Sequence, residues 1–167
     1  MPVAQPSESV ITCRLADEDA TARLAAILAG AARTGDVFAL RGPLGVGKTT
    51  FARAFIHARR RLTGGAPEEV PSPTFTLVQT YEFPDTVVYH FDLFRINAPE
   101  EAFELGIEDA LAEGITLIEW PERLGPLLPR HRLDVGLMPA ETESSRLATL
   151  AGFGAWAERL GRLRLDV

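Results

Sequence analysis

Apolar and polar positions along this chain fall into alternating strand-like and helix-like blocks, which predicts an α/β domain. Val10–Arg14 reads as a short strand. DEDATARLAAILAGAA, Asp17–Ala32, reads as a helix whose first turn carries acidic residues, where they favour the positive end of the helix dipole. The run Asp36–Arg41 reads as a buried strand feeding the loop GPLGVGKTTF, 42–51, and the helix-like ARAFIHARRRL after it. TGGAPEEVPSP, Thr63–Pro73, is rich in Gly and Pro and reads as the most mobile segment. Phe75–Phe83 and Thr86–Phe94 then read as strands joined at Pro84-Asp85, an antiparallel hairpin. Pro99–Leu105 and Ile107–Ala112 read as two short helices broken at Gly106. Ile115–Trp120 reads as a strand, with Pro121 suited to start a helix at its first position. Arg132–Leu137 and Arg146–Leu150 read as a closing pair of strands, and Phe153–Leu163 as a terminal helix. The sum is α/β with a mixed sheet.

Length and composition narrow this picture. The 167 residues suit one domain with helices on both sheet faces, expected over 10–167 after a flexible N-terminal arm of residues 1–9. No apolar run approaches the roughly 18 residues of a membrane span, and MPVAQPSESV has no secretory pattern, so a soluble cytoplasmic protein is expected. Cys13 stands alone, which excludes an internal disulfide, suits a reducing compartment and reads as a small core residue. The formal charge of −6, from 17 basic and 23 acidic residues, repels nucleic acid. DNA binding is therefore not expected, and any tRNA role is expected to be indirect. His57, Arg59, Arg60 and Arg61 concentrate basic charge at a helix C-terminus, where a solvated capping face is expected rather than a docking patch.

The loop at 42–51 fits G-x-x-x-x-G-K-[ST] in full. Gly42, Gly45 and Gly47 admit positive φ and leave room for several N–H groups to point at one anion. Lys48 adds a mobile positive charge, the following helix adds its N-terminal dipole, and the Thr49 hydroxyl is placed to ligate Mg²⁺. A nucleoside triphosphate is the expected ligand.

Turnover at such a loop needs a second acid for Mg²⁺ and a group that positions the attacking water. In an open α/β sheet both sit at carboxyl ends of strands, so acids that end apolar runs are the candidates. Asp92 ends VVYHFD and resembles a Walker B acid, the alternative being a strand-end Asp that caps a turn. Glu119 ends ITLIE and is either a water-orienting or magnesium-linked carboxylate, or an acid favoured at a helix start. Ser72-Pro73-Thr74 sits where nucleotide switches lie, with an ST-turn as the alternative. Trp120 reads as rim packing or a stacking surface, and His90 as a satisfied core histidine on the same sheet face as Asp92. No cysteine–histidine cluster has zinc spacing.

Taken together, GPLGVGKTTF at 42–51, SPTFTLVQTY at 72–81, VVYHFDLFRI at 87–96, PEEAFELGIEDAL at 99–111 and LIEWPERL at 117–124 resemble the TsaE (YjeE) family. The resemblance covers roughly residues 10–150. It implies a P-loop NTPase-like three-layer fold with a mixed central sheet that binds ATP or ADP and Mg²⁺. It also implies an ATPase slow alone, working with the TsaD and TsaB proteins in N6-threonylcarbamoyladenosine formation at position 37 of ANN-decoding tRNAs. Carried over by residue, Gly42, Gly45, Val46, Gly47, Lys48, Thr49 and Thr50 would hold nucleotide, with Thr74 as part of the switch. Thr49 and Asp92 would hold the metal, with Glu119 linked to it or to water, and Glu18 would approach the nucleotide from the N-terminal side. Lys48, Asp92 and Glu119 would carry catalysis. PAETESSRL departs from the family in offering Arg146 as its one basic residue, which leaves a nucleotide contact there unsupported. The loop TGGAPEEV is longer than in compact members. The alternative is a stand-alone small-molecule kinase, for which no basic lid segment is visible, and a third reading is a nucleotide-gated binding protein. N-K-x-D is absent, which argues against GTP.

Overall fold

The computed structural model describes residues 9–167, so the expected arm lies outside the described residues except for Ser9, which opens the first strand. The elements run β1 (Ser9–Leu15), α1 (Glu18–Ala31), β2 (Val37–Arg41), α2 (Lys48–Leu62), β3 (Val78–Glu82) and β4 (Val87–Asp92). After these come α3 (Glu101–Glu104), α4 (Ile107–Glu113), β5 (Ile115–Glu119), a 3-10 segment (Pro121–Leu127), β6 (Arg132–Pro139), β7 (Arg146–Phe153) and α5 (Ala155–Gly161).

One sheet carries all seven strands in the order β1-β7-β6-β2-β5-β4-β3. Its centre, β6-β2-β5-β4, is parallel, and β1, β7 and β3 join antiparallel. The sheet is mixed, as expected. VFAL in β2 and all of ITLIE in β5 are continuously buried because these strands lie between neighbours and beneath helices on both faces. Alternation then splits the core. Leu40, Val88, Ile115 and Leu117 face α1 and α2, whereas Val37, Phe91 and Ile118 face α3, α4 and the 3-10 segment. Trp156 of α5 joins the first face, edge-on to Phe38, which also meets Phe55 edge-on at 5.0 Å.

Asp17 caps α1 by accepting the Ala20 amide at 2.9 Å, and the alanines of its buried stripe let α2 lie close. The break at Gly106 is present, with φ 80. Several boundaries differ from expectation for local reasons. The first hairpin strand starts at Val78, not Phe75, because the Leu77 amide donates to Pro73 O and closes a turn that leaves Phe75 82% exposed. The closing strands run on to Pro139 and Phe153, and the last helix begins at Ala155, after Gly154 turns the chain at φ 64. Cys13 is half-buried against the core rather than enclosed by it.

The basic cluster requires a correction for three of its four residues: Arg61 is exposed as expected, but His57, Arg59 and Arg60 are engaged by other segments. Arg59 is buried, donates to Ala29 O and pairs with Asp85 at the hairpin turn. Arg60 lies on the Phe83 ring, pairs with Glu68 and donates to Glu82 O, while His57 meets Glu68 O. Along with Arg53, which donates to Val70 O, these side chains tie the 63–71 loop to α2. The segment Thr63–Pro73, expected to be the most mobile, is thus bonded to α2 through Glu68 and Val70.

Phe55 is fully buried between α2 and the sheet. Phe55→Ala is expected to cost about 3–5 kcal/mol of stability, the range for truncating a core aromatic. Urea unfolding of the purified chain checks this, and a loss below about 1 kcal/mol would contradict the packing described.

Candidate functional site

The site forms where β2, β4 and β5 end together. After Arg41 the chain turns through Gly42 (φ 143), Gly45 (φ 78) and Gly47 (φ 118), angles that L side chains rarely adopt. A Cβ on Gly42 would stand 2.4 Å from Leu137 O, so β6 itself demands glycine there. At Gly45 and Gly47 the space a Cβ would enter is open, leaving a bare backbone cradle at the N-terminus of α2. Lys48 is buried, and its Nζ donates to Gly42 O at 2.5 Å and sits 3.4 Å from the centre of the Trp120 ring. Trp120 holds the left-handed conformation (φ 59, ψ 51) and leans on Phe94 at 5.0 Å, so the turn after β5 aims its ring at the lysine. Burial pushes the Lys48 pKa down, against the opposing pull of Glu119, Glu122 and Asp92.

The two candidate acids end adjacent strands in register, Asp92 opposite Glu119. Glu119 accepts the Thr49 hydroxyl, with Oγ1 at 2.9 and 3.1 Å from its two oxygens. Asp92 accepts the Phe94 amide at 3.1 Å, so it does cap a turn, and it also lines the same cleft as Thr49 and Glu119. Burial is the main reason its pKa is raised. The Phe94 amide lowers it, Glu119 raises it, and His90 and Lys48 lower it.

Three clefts open on the loop, and two of them hold most of the predicted residues. One of about 280 Å³ gathers Gly45, Gly47, Lys48, Thr49, Thr50, Thr74, Asp92 and Glu119, so eight of the predicted residues converge there. Ser72 and Thr74 share a hydroxyl–hydroxyl bond at its edge. The other, of about 540 Å³, shares Gly45, Gly47 and Thr50 with the first and adds Glu18 and Val46 among the predicted residues. Gly42 lines neither cleft and acts through its carbonyl on Lys48.

Sequence reasoning missed Thr21, Thr142, Glu143 and Ser144, which complete the larger cleft and carry no motif. It also did not foresee where Arg146 lies. That guanidinium reaches the loop, with Nε donating to Val46 O at 2.6 Å, because the β6–β7 turn folds back over Gly45 and Val46. Arg95 and Phe75 form a further pair at the smaller cleft's edge, the guanidinium 4.6 Å from the ring centre. No helix of the described residues is long and apolar enough to cross a membrane. Among the described residues no three His, Cys, Asp or Glu side chains converge as a metal cage. The donor set is instead two carboxylates and a hydroxyl beside an anion cradle, which suits Mg²⁺ shared with phosphate oxygens rather than an all-protein cage.

A family model described as threonylcarbamoyl adenosine biosynthesis protein TsaE matches residues 15–148. The chain is 42% identical over 123 residues to the tRNA threonylcarbamoyladenosine biosynthesis protein TsaE of Rickettsia bellii, covering 74% of this chain and 83% of that one. It is 31% identical over 139 residues to the TsaE of Bacillus subtilis, covering 83% and 84%. Among solved structures, the crystal structure of Bacillus subtilis YdiB superposes with a TM-score of 0.71 at 27% identity, covering 92% of this chain and 93% of that one.

A carboxyl with a raised folded pKa contributes stability that is full below its unfolded pKa and is lost as pH rises through the folded one. Ionised Asp92 therefore weakens the fold near neutrality. In neutral buffer without nucleotide or divalent cation, Asp92→Asn is expected to raise the melting temperature by a few degrees. That gain should shrink as the pH falls below the ordinary aspartate range. A variant that melts lower than wild type at neutral pH would reverse the assignment.

Proposed function

The chain belongs to the TsaE family of threonylcarbamoyladenosine biosynthesis, and from that premise we propose that it is the magnesium-dependent ATPase subunit of this tRNA modification. It acts on ATP within a complex with the TsaD and TsaB proteins and leaves tRNA contact largely to them, in keeping with its net charge of −6. One observation carries the reading: the Thr49 hydroxyl and the Glu119 carboxylate are bonded at 2.9 Å beside the glycine cradle, with Asp92 one strand away.

In this reading the bare N–H groups at Gly45 and Gly47 hold the phosphates, and Lys48 leaves its resting partners, Gly42 O and the Trp120 ring, to meet them. Thr49 and Asp92 would hold magnesium, which when bound would offset negative charge on the phosphate oxygens. Glu119 orients the attacking water or links to the metal through it. Thr74, at the rim of the same cleft, senses the terminal phosphate. The larger cleft, with Glu18, Thr21 and Arg146, takes the remainder of the nucleotide.

The test is ATP hydrolysis by the purified chain, alone and with the TsaB and TsaD proteins and tRNA. A group supplied in trans is worth about 10³–10⁵ in rate at other P-loop sites, so slow turnover alone and a large stimulation by partners are expected. Glu119→Gln should lower the stimulated rate by about 10²–10⁴ and abolish repeated tRNA modification. Unchanged rates on adding the partners, or full tRNA modification by the Gln variant, would remove the proposal.

A further inference from the structure

His90 was expected to be a satisfied core histidine, but the structure satisfies one of its nitrogens and not the other. It lies mid-strand in β4 with no exposed surface. Nε2 sits 2.7 Å from Glu119 Oε2, while Nδ1 has no hydrogen-bond partner among the described residues. A carboxylate only accepts, so Nε2 is the donor. Val88 on the same β4 face and Leu117 opposite His90 on β5 are both buried and apolar. Burying a half-satisfied imidazole there costs free energy that a leucine would not.

That cost places one N–H against one carboxylate oxygen. Thr49 Oγ1 approaches Glu119 from α2, and His90 approaches it from β4. With donors from two separate elements, the carboxylate cannot turn about its terminal bond without losing one of them. Of these donors, Thr49 is expected at the metal, so it is not free to hold the acid through a reaction cycle. His90 touches neither cleft and has no other polar contact among the described residues, so it has no competing partner.

We propose that His90 is a positioning residue: its Nε2–H fixes the Glu119 carboxylate in the orientation that serves the magnesium–nucleotide site, so that the acid is preformed before ligand arrives. This rests on the magnesium–ATP reading above, and it assigns His90 a function that neither the phosphate-loop motif nor the strand-end acids disclose. The imidazole acts through Glu119 and does not itself meet substrate.

The experiment compares His90→Leu, which keeps bulk but loses the donor, with His90→Gln, whose amide N–H has similar reach to Nε2. His90→Asn, polar but too short to reach Oε2, stands in if the Leu variant fails to fold. Two readouts are taken on each folded variant: ADP affinity with and without Mg²⁺, and partner-stimulated ATP turnover. Loss of a group that orients a metal-linked residue typically costs about 10–100-fold in metal affinity or activity. The expected result for Leu or Asn is magnesium-free ADP affinity unchanged, the magnesium-dependent gain reduced by about 10-fold or more, and kcat down by about 10–100-fold at near-constant KM. Gln should recover most of both.

A Leu or Asn variant with wild-type magnesium gain and kcat overturns the inference, as does a Gln variant no better than Leu. If wild type shows the magnesium gain but no turnover even with partners, the ATPase reading fails while the binding readout still decides the role of His90. If wild type shows no magnesium gain, the metal reading fails and this inference fails with it.

Discussion

The parallel register of β2, β5 and β4 is the constraint on which the site depends. Glu119 stands opposite Leu40 on one side and Asp92 on the other, so one cross-sheet row brings the end of the phosphate-loop strand and both acids to the same edge. Side chains alternate with a period of two, so a slip of one residue would turn Glu119 toward α3 and α4 and strand it in an apolar layer. The apolar residues of β5 enforce the register, since Ile115 and Leu117 fill one face and Ile118 the other. Packing and chemistry are thus specified by the same alternation. Changing the core of β5 would change the geometry of the site before it changed the fold.

That arrangement concentrates ionisable groups where solvent is scarce. Lys48, Asp92, Glu119 and His90 are each less than a tenth exposed and lie within one neighbourhood. Burial moves Lys48 and Asp92 toward their uncharged forms, the direction opposite to what binding phosphate and a divalent cation demands. A bound polyanion and its metal would reverse both trends, because each buried charge would then gain a partner of opposite sign. These buried charges are therefore a source of unfavourable electrostatics, held by a core that extends over both faces of a seven-stranded sheet. The tucked position of Lys48 on the Trp120 face is consistent with this, since a ring quadrupole is a weak but available partner for a desolvated ammonium.

Much of this was legible in the sequence where local chemistry dictates the outcome. The glycine spacing of the phosphate loop, the break at Gly106, the hairpin at Pro84-Asp85 and the acids that end two apolar runs are each decided within a few residues. What was not legible depends on pairs distant along the chain. Arg146 meets Val46 across 100 positions, and nothing in PAETESSRL reveals that its turn folds over the loop. Arg59 and Arg60 looked like solvated charges because their partners, Asp85, Glu68 and two backbone carbonyls, are visible only once the hairpin has docked. His90 is the intermediate case. Its placement on the face of Asp92 follows from period two, but its contact with Glu119 follows from β4 and β5 being neighbours, which the order of strands in the sequence does not imply.

The tethering of the 63–71 loop sets the surroundings of Thr74, the proposed switch residue. Arg53 holds Val70 and His57 holds Glu68, so the polypeptide reaches Ser72 already anchored to the helix that begins at Lys48. Beyond Thr74 the chain is anchored again at Leu77, whose amide donates to Pro73 O and whose carbonyl accepts the Asp92 amide. Leu77 holds φ 68, a conformation a leucine leaves readily unless its neighbours fix it, and here two backbone bonds do so. Thr74 therefore sits on a short span between two anchors, one on the phosphate-loop helix and one on the strand that carries Asp92. A displacement of Thr74 that broke the Pro73–Leu77 bond would release Leu77 from its strained angle and disturb the backbone of Asp92 directly. The six residues from Ser72 to Leu77 thus join the anchored loop to the backbone of a proposed metal ligand with no long intervening span.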